Sequence, residues 1–415
     1  MQFVKLRHLK INSLVYYFIA SSITVIVGLA INPFLAIGLS HEDYAIIGYF
    51  SSFGTILSPI VAFSLNSYYA RNYFLFDIEK RKEMLQTLLS LFMCFGGLMF
   101  IMFFSIYYFY HKKFISSIPF SPYALLSFLP ILFSSFYNIY LLDLRLENKA
   151  KKYAIIVIFN AVFAAILSFA LVYLLRYGAT GRLISLLLVS IAFAVFALKT
   201  ENYHFGINKQ FTKEAFSFCW PLTISAFLTF FFTGIDRSFL AHLNDNYNLG
   251  LYTVGFQISA YLGIFGSVLL QTVDPNLYKY TSLNQHRKVV KLVLAVLILS
   301  CIPNLLFIAI SKPLIAVLTS NRYVDASVFA NILCLRNVTT TFAFIMSGVL
   351  IGYGHPRFEL INRLIGSAVA LLLYKALISY YGFYGAAWGQ TLSWLIMGFI
   401  SILCLLIVMR KKERE

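Results

Sequence analysis

Long apolar stretches recur along the whole sequence and leave few folds open to it. Each is about 20 residues or longer, the length that a helix needs to cross the hydrocarbon core of a bilayer. Of the 415 residues, 60% are hydrophobic and only 12% are charged, whereas soluble proteins carry about 25% charged residues. We therefore predict an all-α polytopic membrane protein with about twelve transmembrane helices. The predicted spans are Ser13–Ile37, Tyr44–Ser67, Met84–Phe109, Tyr123–Leu142, Tyr153–Leu175, Gly181–Lys199, Phe216–Ala241, Gly250–Val273, Val289–Ile310, Ser327–Ile351, Phe358–Tyr380 and Ala386–Met409.

The reactive residue types do not form a recognisable metal, redox or nucleotide site. The five cysteines lie singly in apolar segments, and no two have the spacing of metal or redox ligands. The seven histidines lie at segment ends or in loops. There is no Gly-rich nucleotide loop and no Walker motif. We therefore predict no metal and no cofactor, so any energy for work would come from an ion gradient, a substrate gradient or an outside partner.

The basic residues predict the orientation in the membrane. With the N-terminus in the cytoplasm, most of the 33 basic residues fall in loops on the cytoplasmic side. They outnumber those on the opposite side by about four to one, as the positive-inside rule requires. Both termini are therefore predicted to be cytoplasmic. This topology also accounts for the net charge of +17, so no nucleic-acid partner is predicted.

A polar stretch, Lys199–Phe218, divides the predicted spans six and six. We predict an N-terminal six-helix lobe at residues 1–199, a cytoplasmic linker at 200–214 and a C-terminal six-helix lobe at 215–415. Because six is even, both lobes enter the membrane in the same orientation.

A faint internal repeat agrees with this division. The stretch Phe34–Tyr49 resembles Phe239–Tyr252, and Asn66–Tyr73 corresponds to Asp274–Tyr280. Parallel repeats are common in transporters, which bind substrate between the repeats near the middle of the membrane.

Several predicted spans carry polar residues at helical spacing, so that they share one face. Small and hydroxyl residues of this kind often serve only to pack helices closely, and packing is the simpler interpretation for them. The stripes are Ser51, Thr55, Ser58, Ala62 and Asn66, leading to Arg71; Ser127, Ser134, Asn138 and Arg145; Ser225, Thr229, Thr233 and Asp236; and Arg336, Thr340, Ala343 and Ser347.

Charged residues inside the spans need a different explanation, because a charge in hydrocarbon costs at least about 2.5 kcal/mol. Arg336 lies near the middle of its span, while Asp236 and Arg237 lie near the outer end of theirs. Lys375 lies in the outer half of its span, where snorkelling to the interface is an equally good explanation. The interior is thus predicted to be cationic, which suits an anion, and arginine matches phosphate geometry.

The stretch "FSFCWPLTISAFLTFFFTGIDRSFLAHLNDNYNLGLYTVGFQIS" resembles the start of the second half in O-antigen flippases. These Wzx-type polysaccharide transporters belong to the multidrug/oligosaccharidyl-lipid/polysaccharide exporter (MOP) superfamily. The similar features are a proline near the helix start, Ile-Asp-Arg near its outer end, a short loop and Gly-Leu-Tyr. "LSHEDYAIIGYFSS" is the matching piece of the first half. The resemblance implies a MATE-like fold of two pseudo-symmetric six-helix bundles.

The resemblance also implies a function. The protein would be a flippase of the bacterial inner membrane that moves undecaprenyl-pyrophosphate-linked oligosaccharide units to the outer leaflet, for O-antigen or capsule assembly. Its partners would be that lipid, membrane lipids, and a polysaccharide polymerase and chain-length regulator, with coupling to protons or sodium. Asp236 and Arg237 match the motif directly, and Asp236 either carries the coupling ion or forms a structural salt bridge. From stripes and position, the predicted pyrophosphate and sugar cavity also contains Arg336, Lys375, Arg71, Arg145, Asn66 and Asn138.

Three alternatives remain. An O-antigen polymerase or other membrane glycosyltransferase would act on the same lipid, but it generally needs a large outer loop or paired outer carboxylates. The outer loops here are short, and Glu42-Asp43 is the sole outer acidic pair. A MATE-type cation or drug antiporter is disfavoured by the cationic interior. A peptidoglycan-precursor flippase would typically carry two further spans. The sequence therefore favours a transporter over an enzyme.

Overall fold

The computed structural model describes residues 11–115, 117–353 and 356–412. The basic residues Lys5, Arg7, Lys10 and Arg414, used in the orientation prediction, lie outside the described residues. The helices are α1 Ile11–Gly38, α2 His41–Ala62, α3 Leu65–Asn72, α4 Ile78–Leu91, α5 Gly97–Phe114, α6 Tyr123–Leu146, α7 Ala150–Ser168, α8 Gly178–Thr200, α9 Lys209–Leu228, α10 Phe230–Thr233, α11 Ile235–Ala241, α12 Asn246–Ser282, α13 His286–Leu318, α14 Ala326–Gly352 and α15 Pro356–Lys412. One π-helical turn, Phe92–Gly96, joins α4 to α5, and another, Phe169–Leu174, follows α7.

The predicted all-α membrane fold is confirmed. Within the described ranges, 11 helical segments are long and apolar enough to cross a membrane. The last of them, Phe358–Ile407, is 50 residues long and includes the predicted span Phe358–Tyr380 and most of the span Ala386–Met409. Gly382 separates these two, with backbone angles of φ 54° and ψ −128°. A positive φ is easily adopted only by glycine, which explains why the chain can break the helix there.

The seventh predicted span is not one continuous helix, which corrects the expectation for Phe216–Ala241. It is interrupted at Thr229 and again at Gly234, which has φ −132° and ψ −28°. A Cβ atom at Gly234 would lie 2.6 Å from the Phe230 ring and 2.7 Å from Thr55 Oγ1. Only glycine therefore fits, and Asp236 lies on the short helix α11 instead of continuing the stripe of Ser225 and Thr229.

The polar stripe of the second predicted span is also interrupted. Phe63 and Ser64 have positive φ values of 44° and 51°, a region that side chains other than glycine rarely adopt. The chain then resumes as the short helix α3, which carries Asn66 and Arg71. These two residues therefore do not extend the face of α2, as the spacing alone had predicted. The hydroxyl of Thr223 on α9 donates a 3.3 Å hydrogen bond to Ser64 Oγ at the break.

The chain forms two compact units. Unit 1 contains α1, α3 to α8 and parts of α2 and α9, and unit 2 contains the rest of α2 and α9 together with α10 to α15. Unit 1 has a core of Tyr69, Leu88, Phe92, Ile139, Ala215 and Cys219 with their neighbours. In unit 2, α14 packs against α12, α13 and α15. A Cβ at Gly255 of α12 would lie 2.8 Å from the Ala326 carbonyl oxygen of α14, so glycine permits this close packing.

The segment at residues 201–208, which we call the strap, crosses α4 within unit 1. After a turn at Glu201 it has no regular secondary structure until α9 begins at Lys209. The Gln86 side chain of α4 donates a hydrogen bond to the Glu201 carbonyl oxygen and accepts one from the His204 backbone N–H. The hydroxyls of Thr87 and Ser90, also on α4, accept hydrogen bonds from the backbone N–H groups of Asn208 and Gly206. All four hydrogen bonds are 3.0–3.2 Å long. The first half of the predicted linker is therefore fixed to a helix, and the second half is part of α9.

Candidate functional site

Asp236 and Arg237 follow the break at Gly234 and lie in the buried interior of unit 2. Asp236 is 0% exposed and Arg237 is 4% exposed. Neighbouring positions on a helix point about 100° apart, so the two side chains face different elements. The sequence had predicted that they would be poor partners, and they form no ion pair with each other.

The Asp236 carboxylate is held by hydrogen bonds from two other helices. The hydroxyl of Tyr252 on α12 donates to Asp236 Oδ2 at 2.5 Å. Nε2 of Gln390 on α15 donates to the same oxygen at 2.8 Å. The other oxygen, Oδ1, is buried and has no hydrogen-bond partner. Asp236 is thus held by neutral donors rather than by the salt bridge that was one of the two alternatives.

Gln390 connects this carboxylate to the arginine of α14. Its Oε1 accepts a hydrogen bond from Arg336 Nη1 at 3.0 Å, while its Nε2 donates to Asp236. Gln390 is completely buried, so water does not compete for either bond. An amide has one donor end and one acceptor end, and here each end meets the group of matching character. The position of Gln390 between Asp236 and Arg336 is therefore determined by its donor and acceptor groups as well as by packing.

The two arginines meet at one aromatic ring. The guanidinium carbon of Arg237 lies 3.9 Å from the centre of the Phe256 ring, and that of Arg336 lies 4.4 Å from it. Both distances are within the range of a cation–π interaction. Nε of Arg237 is buried without a hydrogen-bond partner. We call Asp236, Arg237, Tyr252, Phe256, Arg336 and Gln390 the Asp236 cluster.

The Asp236 cluster has a positive character. It contains two guanidinium groups and one carboxylate, and neither arginine forms an ion pair with an acidic residue of the described ranges. Charges attract or repel more strongly in a buried site than in water, so the excess positive charge favours an anion. Arg336 and Phe256 are half-buried whereas the other members are buried. An arriving anion would therefore meet Arg336 first.

Aromatic residues support the break that positions the cluster. Tyr374 of α15 is buried, and its hydroxyl donates a 3.0 Å hydrogen bond to the Phe232 carbonyl oxygen. The Phe232 ring packs against Trp394, with ring centres 4.9 Å apart. A helix interruption leaves backbone groups unpaired, and neighbouring side chains must satisfy them in a membrane protein. Tyr374 does this for the break before Asp236.

Within unit 2, the structure places three of the eight sequence-predicted site residues in one cluster: Asp236, Arg237 and Arg336. Lys375 is exposed on α15 and has no contact with the Asp236 cluster among the described interactions. The other four belong to unit 1. Arg145 is exposed, with its guanidinium 5.9 Å from the centre of the Tyr153 ring; Asn138 is exposed; and Asn66 is half-buried with an unpaired Oδ1. Their role in binding stays a prediction.

The last of the eight, Arg71, lines a cavity of about 730 Å³ in unit 1. Its guanidinium lies 4.6 Å from the centre of the Phe218 ring. The carboxylate of Glu214 in the same cavity accepts 2.9 Å hydrogen bonds from Tyr68 and Gln210. Arg71 is exposed, so this cavity lies at the surface of its unit, on the side that the charge distribution predicts to be cytoplasmic.

Sequence reasoning missed Gln390, Tyr252 and Phe256. Gln390 was detectable in principle, because it is an amide in the apolar stretch "GAAWGQTLSW", and buried amides need partners. Tyr252 is in the quoted Gly-Leu-Tyr motif but was given no role. Phe256 is one of 42 phenylalanines, and nothing local distinguishes it from the rest.

Asp43, from the pair Glu42-Asp43, has a structural role. Asp43 Oδ2 accepts a 2.8 Å hydrogen bond from the Ser40 backbone N–H, and Ser40 Oγ accepts a 3.1 Å bond from the Asp43 backbone N–H. This reciprocal arrangement is a capping box at the start of α2. Asp43 therefore caps the start of α2.

Comparison with known proteins identifies the family. The sequence profile of a family described as "Polysaccharide biosynthesis protein" matches residues 34–328, more than half of the chain. The chain belongs to this family. A relative in Haemophilus influenzae, protein 1 of the Lsg locus, is 23% identical over 377 residues, which cover 87% of this chain and 88% of the relative.

Solved structures confirm the fold of this polysaccharide biosynthesis family member. An inward-facing MATE family multidrug resistance transporter of the MOP superfamily has a TM-score of 0.72 and 16% identity, covering 97% of this chain and 99% of its own. The lipid II flippase MurJ, in an inward closed conformation, has a TM-score of 0.71 and 16% identity, covering 95% of this chain and 87% of its own. The predicted MATE-like fold is thus confirmed.

Proposed function

We propose that this protein is a flippase that moves polyprenyl-diphosphate-linked oligosaccharides across the bacterial inner membrane for surface polysaccharide assembly. Membership of the polysaccharide biosynthesis family supports the pathway. The fold is one that membrane exporters use. The substrate would be undecaprenyl-pyrophosphate-linked, and its tail would stay in lipid while the diphosphate and sugars pass through the protein.

The observation that carries the proposal is the pair of arginines at Phe256. Arg237 and Arg336 lie over one ring and have no acidic partner among the described residues. Burying an unpaired charge costs several kcal/mol, so such a pair is maintained where an anion uses it. A diphosphate would offset this penalty by ion pairing with both guanidinium groups.

Asp236 is the acid in this site and the residue that we propose to couple transport to an ion gradient. A coupling carboxylate must exchange its ion, and Asp236 has one buried oxygen without a partner. The Asp236 cluster would be exposed alternately to the two sides of the membrane during transport. At other stages of transport, the sugars or the diphosphate would contact the remaining residues predicted from the sequence: Lys375, Arg71, Arg145, Asn66 and Asn138.

The proposal is tested by reconstituting the full chain in liposomes with a fluorescent undecaprenyl-diphosphate oligosaccharide. A membrane-impermeant reagent that quenches the label reports the fraction in the outer leaflet over time. We expect exchange between leaflets that depends on the protein and is inhibited by the unlabelled diphosphate lipid. No exchange beyond that of empty liposomes would contradict the proposed function.

Two controls separate the alternatives. A polymerase would lengthen the oligosaccharide, so the products are analysed by mass spectrometry, and the flippase proposal requires their length to be unchanged. A cation antiporter would accelerate efflux of a fluorescent organic cation driven by a proton or sodium gradient, and the excess positive charge at Phe256 predicts no such efflux.

A further inference from the structure

We propose that Asp236 and the two arginines form one linked binding unit, in which a proton on Asp236 and a phosphate anion on Arg336 and Arg237 favour each other's binding. Gln390 is the positioning residue that makes this linkage work. The inference rests on the proposed function and deepens it, because it states how the diphosphate site is regulated. The ligand class is a diphosphate together with one proton from the solvent.

The geometry of Asp236 allows it to take up a proton without rearrangement. Both of its hydrogen bonds, from Tyr252 and Gln390, end on Oδ2. Oδ1 has no partner, so a proton can add there and form a neutral carboxylic acid. Oδ2 then remains an acceptor and keeps both bonds. The protonated and ionised forms therefore fit the same packing.

The proton changes the charge that an anion encounters. With Asp236 ionised, two guanidinium groups and one carboxylate give the cluster a single net positive charge, and with Asp236 neutral they give two. Among the described residues, no ion pair or side-chain hydrogen bond joins a further charged group to this cluster, and Tyr252 and Tyr374 each donate a hydrogen bond through a protonated hydroxyl. Removing a negative charge from a buried site strengthens anion binding, and by thermodynamic reciprocity a bound anion strengthens proton binding.

Gln390 prevents the cluster from neutralising itself. Asp236 and Arg336 have opposite charges, and a direct ion pair between them would occupy the arginine that the anion needs. The Gln390 amide stands between the two, bonded to Asp236 at 2.8 Å and to Arg336 at 3.0 Å. It is buried and has no freedom to turn away into water. Arg336 therefore remains available at the half-buried edge of the cluster.

The linkage is tested on the purified full chain with inorganic pyrophosphate, in the absence of divalent cations, by isothermal titration calorimetry. Titrations near neutral pH in two buffers of different ionisation enthalpy report the protons taken up on binding. Because pyrophosphate itself changes its protonation near neutral pH, the comparison is with a variant: we expect the native chain to take up more protons on binding than Asp236→Asn does. In Asp236→Asn, which mimics the neutral acid, we expect no uptake from this residue and about tenfold tighter pyrophosphate binding.

The outcomes distinguish the linkage from the proposed function. Pyrophosphate binding by the native chain with no more proton uptake than in Asp236→Asn would overturn the linkage and leave the diphosphate site standing. No saturable pyrophosphate binding would overturn the diphosphate site and the linkage together. Unchanged or weaker binding in a folded Asp236→Asn chain would also contradict the linkage.

The role of Gln390 is tested by rescue. In Gln390→Ala, Asp236 can reach Arg336, and we expect pyrophosphate affinity to fall by about tenfold or more. In the double variant Asp236→Asn with Gln390→Ala, no ion pair can form, and we expect the affinity to return. A merely structural role for Gln390 predicts that both variants bind weakly, so failure of the double variant to recover would overturn the assignment.

Discussion

Arg237 and Arg336 come from different helices and share the ring of Phe256, with guanidinium carbons 3.9 Å and 4.4 Å from its centre. Two like charges this close repel each other, so their proximity costs free energy in the absence of an anion. The negative face of the ring offsets part of that repulsion. This relationship explains how two cations can be kept together in the interior of a membrane protein.

The shared ring predicts the effect of substituting Phe256. In Phe256→Leu both arginines lose a cation–π interaction, each of about 0.5–2 kcal/mol. We expect pyrophosphate affinity to fall by about tenfold as the two guanidinium groups separate. Phe256→Tyr keeps the aromatic face and should bind nearly as the native chain does. Equal affinities for the leucine and tyrosine variants, measured by calorimetry, would show that the ring does not organise the site.

Substitutions of Arg336 and Lys375, which lie on neighbouring helices, are expected to lower the affinity for pyrophosphate by different amounts. Arg336→Met and Lys375→Met each remove one positive charge, but only Arg336 belongs to the Asp236 cluster, and Lys375 is exposed. We expect at least a tenfold fall in pyrophosphate affinity for Arg336→Met and a smaller fall for Lys375→Met. A larger effect at Lys375 would favour the cavity predicted from the sequence over the cluster seen in the structure.

The break before Asp236 predicts that Gly234→Ala is harmful. The new Cβ would lie 2.6 Å from the Phe230 ring and 2.7 Å from Thr55 Oγ1, and overpacking of this kind costs about 1–3 kcal/mol. We expect a lower melting temperature in detergent and weaker pyrophosphate binding, since Asp236 lies two residues away. Gly97→Ala is the matched control, because a Cβ there meets no atom within 4 Å. Equal melting temperatures for the two variants would contradict the argument.

The ionisation of Glu201, at the start of the strap, predicts that the stability of unit 1 depends on pH. Burial, with repulsion from Asp143 and Glu147, raises the pKa of Glu201 from 4.5 to about 7, although Lys149 and Lys152 oppose the shift. Between these values the folded chain holds a proton that the unfolded chain has released. This contribution to stability is therefore fully present below pH 4.5 and is lost as the pH rises to about 7.

Hydrogen exchange measures this effect at the amides of His204 and Gly206, which the α4 side chains hold. After correction for the intrinsic pH dependence of exchange, protection should fall between about pH 5 and pH 7.5. Glu201→Gln should remove the dependence and keep the protection at the higher pH. Protection that stays constant with pH in the native chain would rule out a role for Glu201 ionisation.

The fold class and the charged members of the Asp236 cluster could be predicted from the sequence. Spans are visible in hydropathy because a helix that crosses a bilayer must be long and apolar. Asp236, Arg237 and Arg336 were detectable because charges in such helices are costly. Each of these signals is local and can be read from a single segment.

The remaining features depend on contacts between distant parts of the chain. The break at Gly234 is required by Phe230 and by Thr55, which is far away in sequence. Phe256 matters only because two arginines from other helices reach it. Gln390 carries no charge, so its position between Asp236 and Arg336 becomes evident only once α11, α14 and α15 are packed together.

The central claim is that Arg336 and Arg237 hold the diphosphate during transport, and the leaflet-exchange rate of Arg336→Ala in liposomes tests it most directly. Lys312→Ala on α13 is the control, because it removes one exposed positive charge outside the cluster. The account predicts exchange of the fluorescent diphosphate lipid at least about tenfold slower in Arg336→Ala and near the native rate in Lys312→Ala. Equal rates in the two variants, at equal reconstitution, would contradict it.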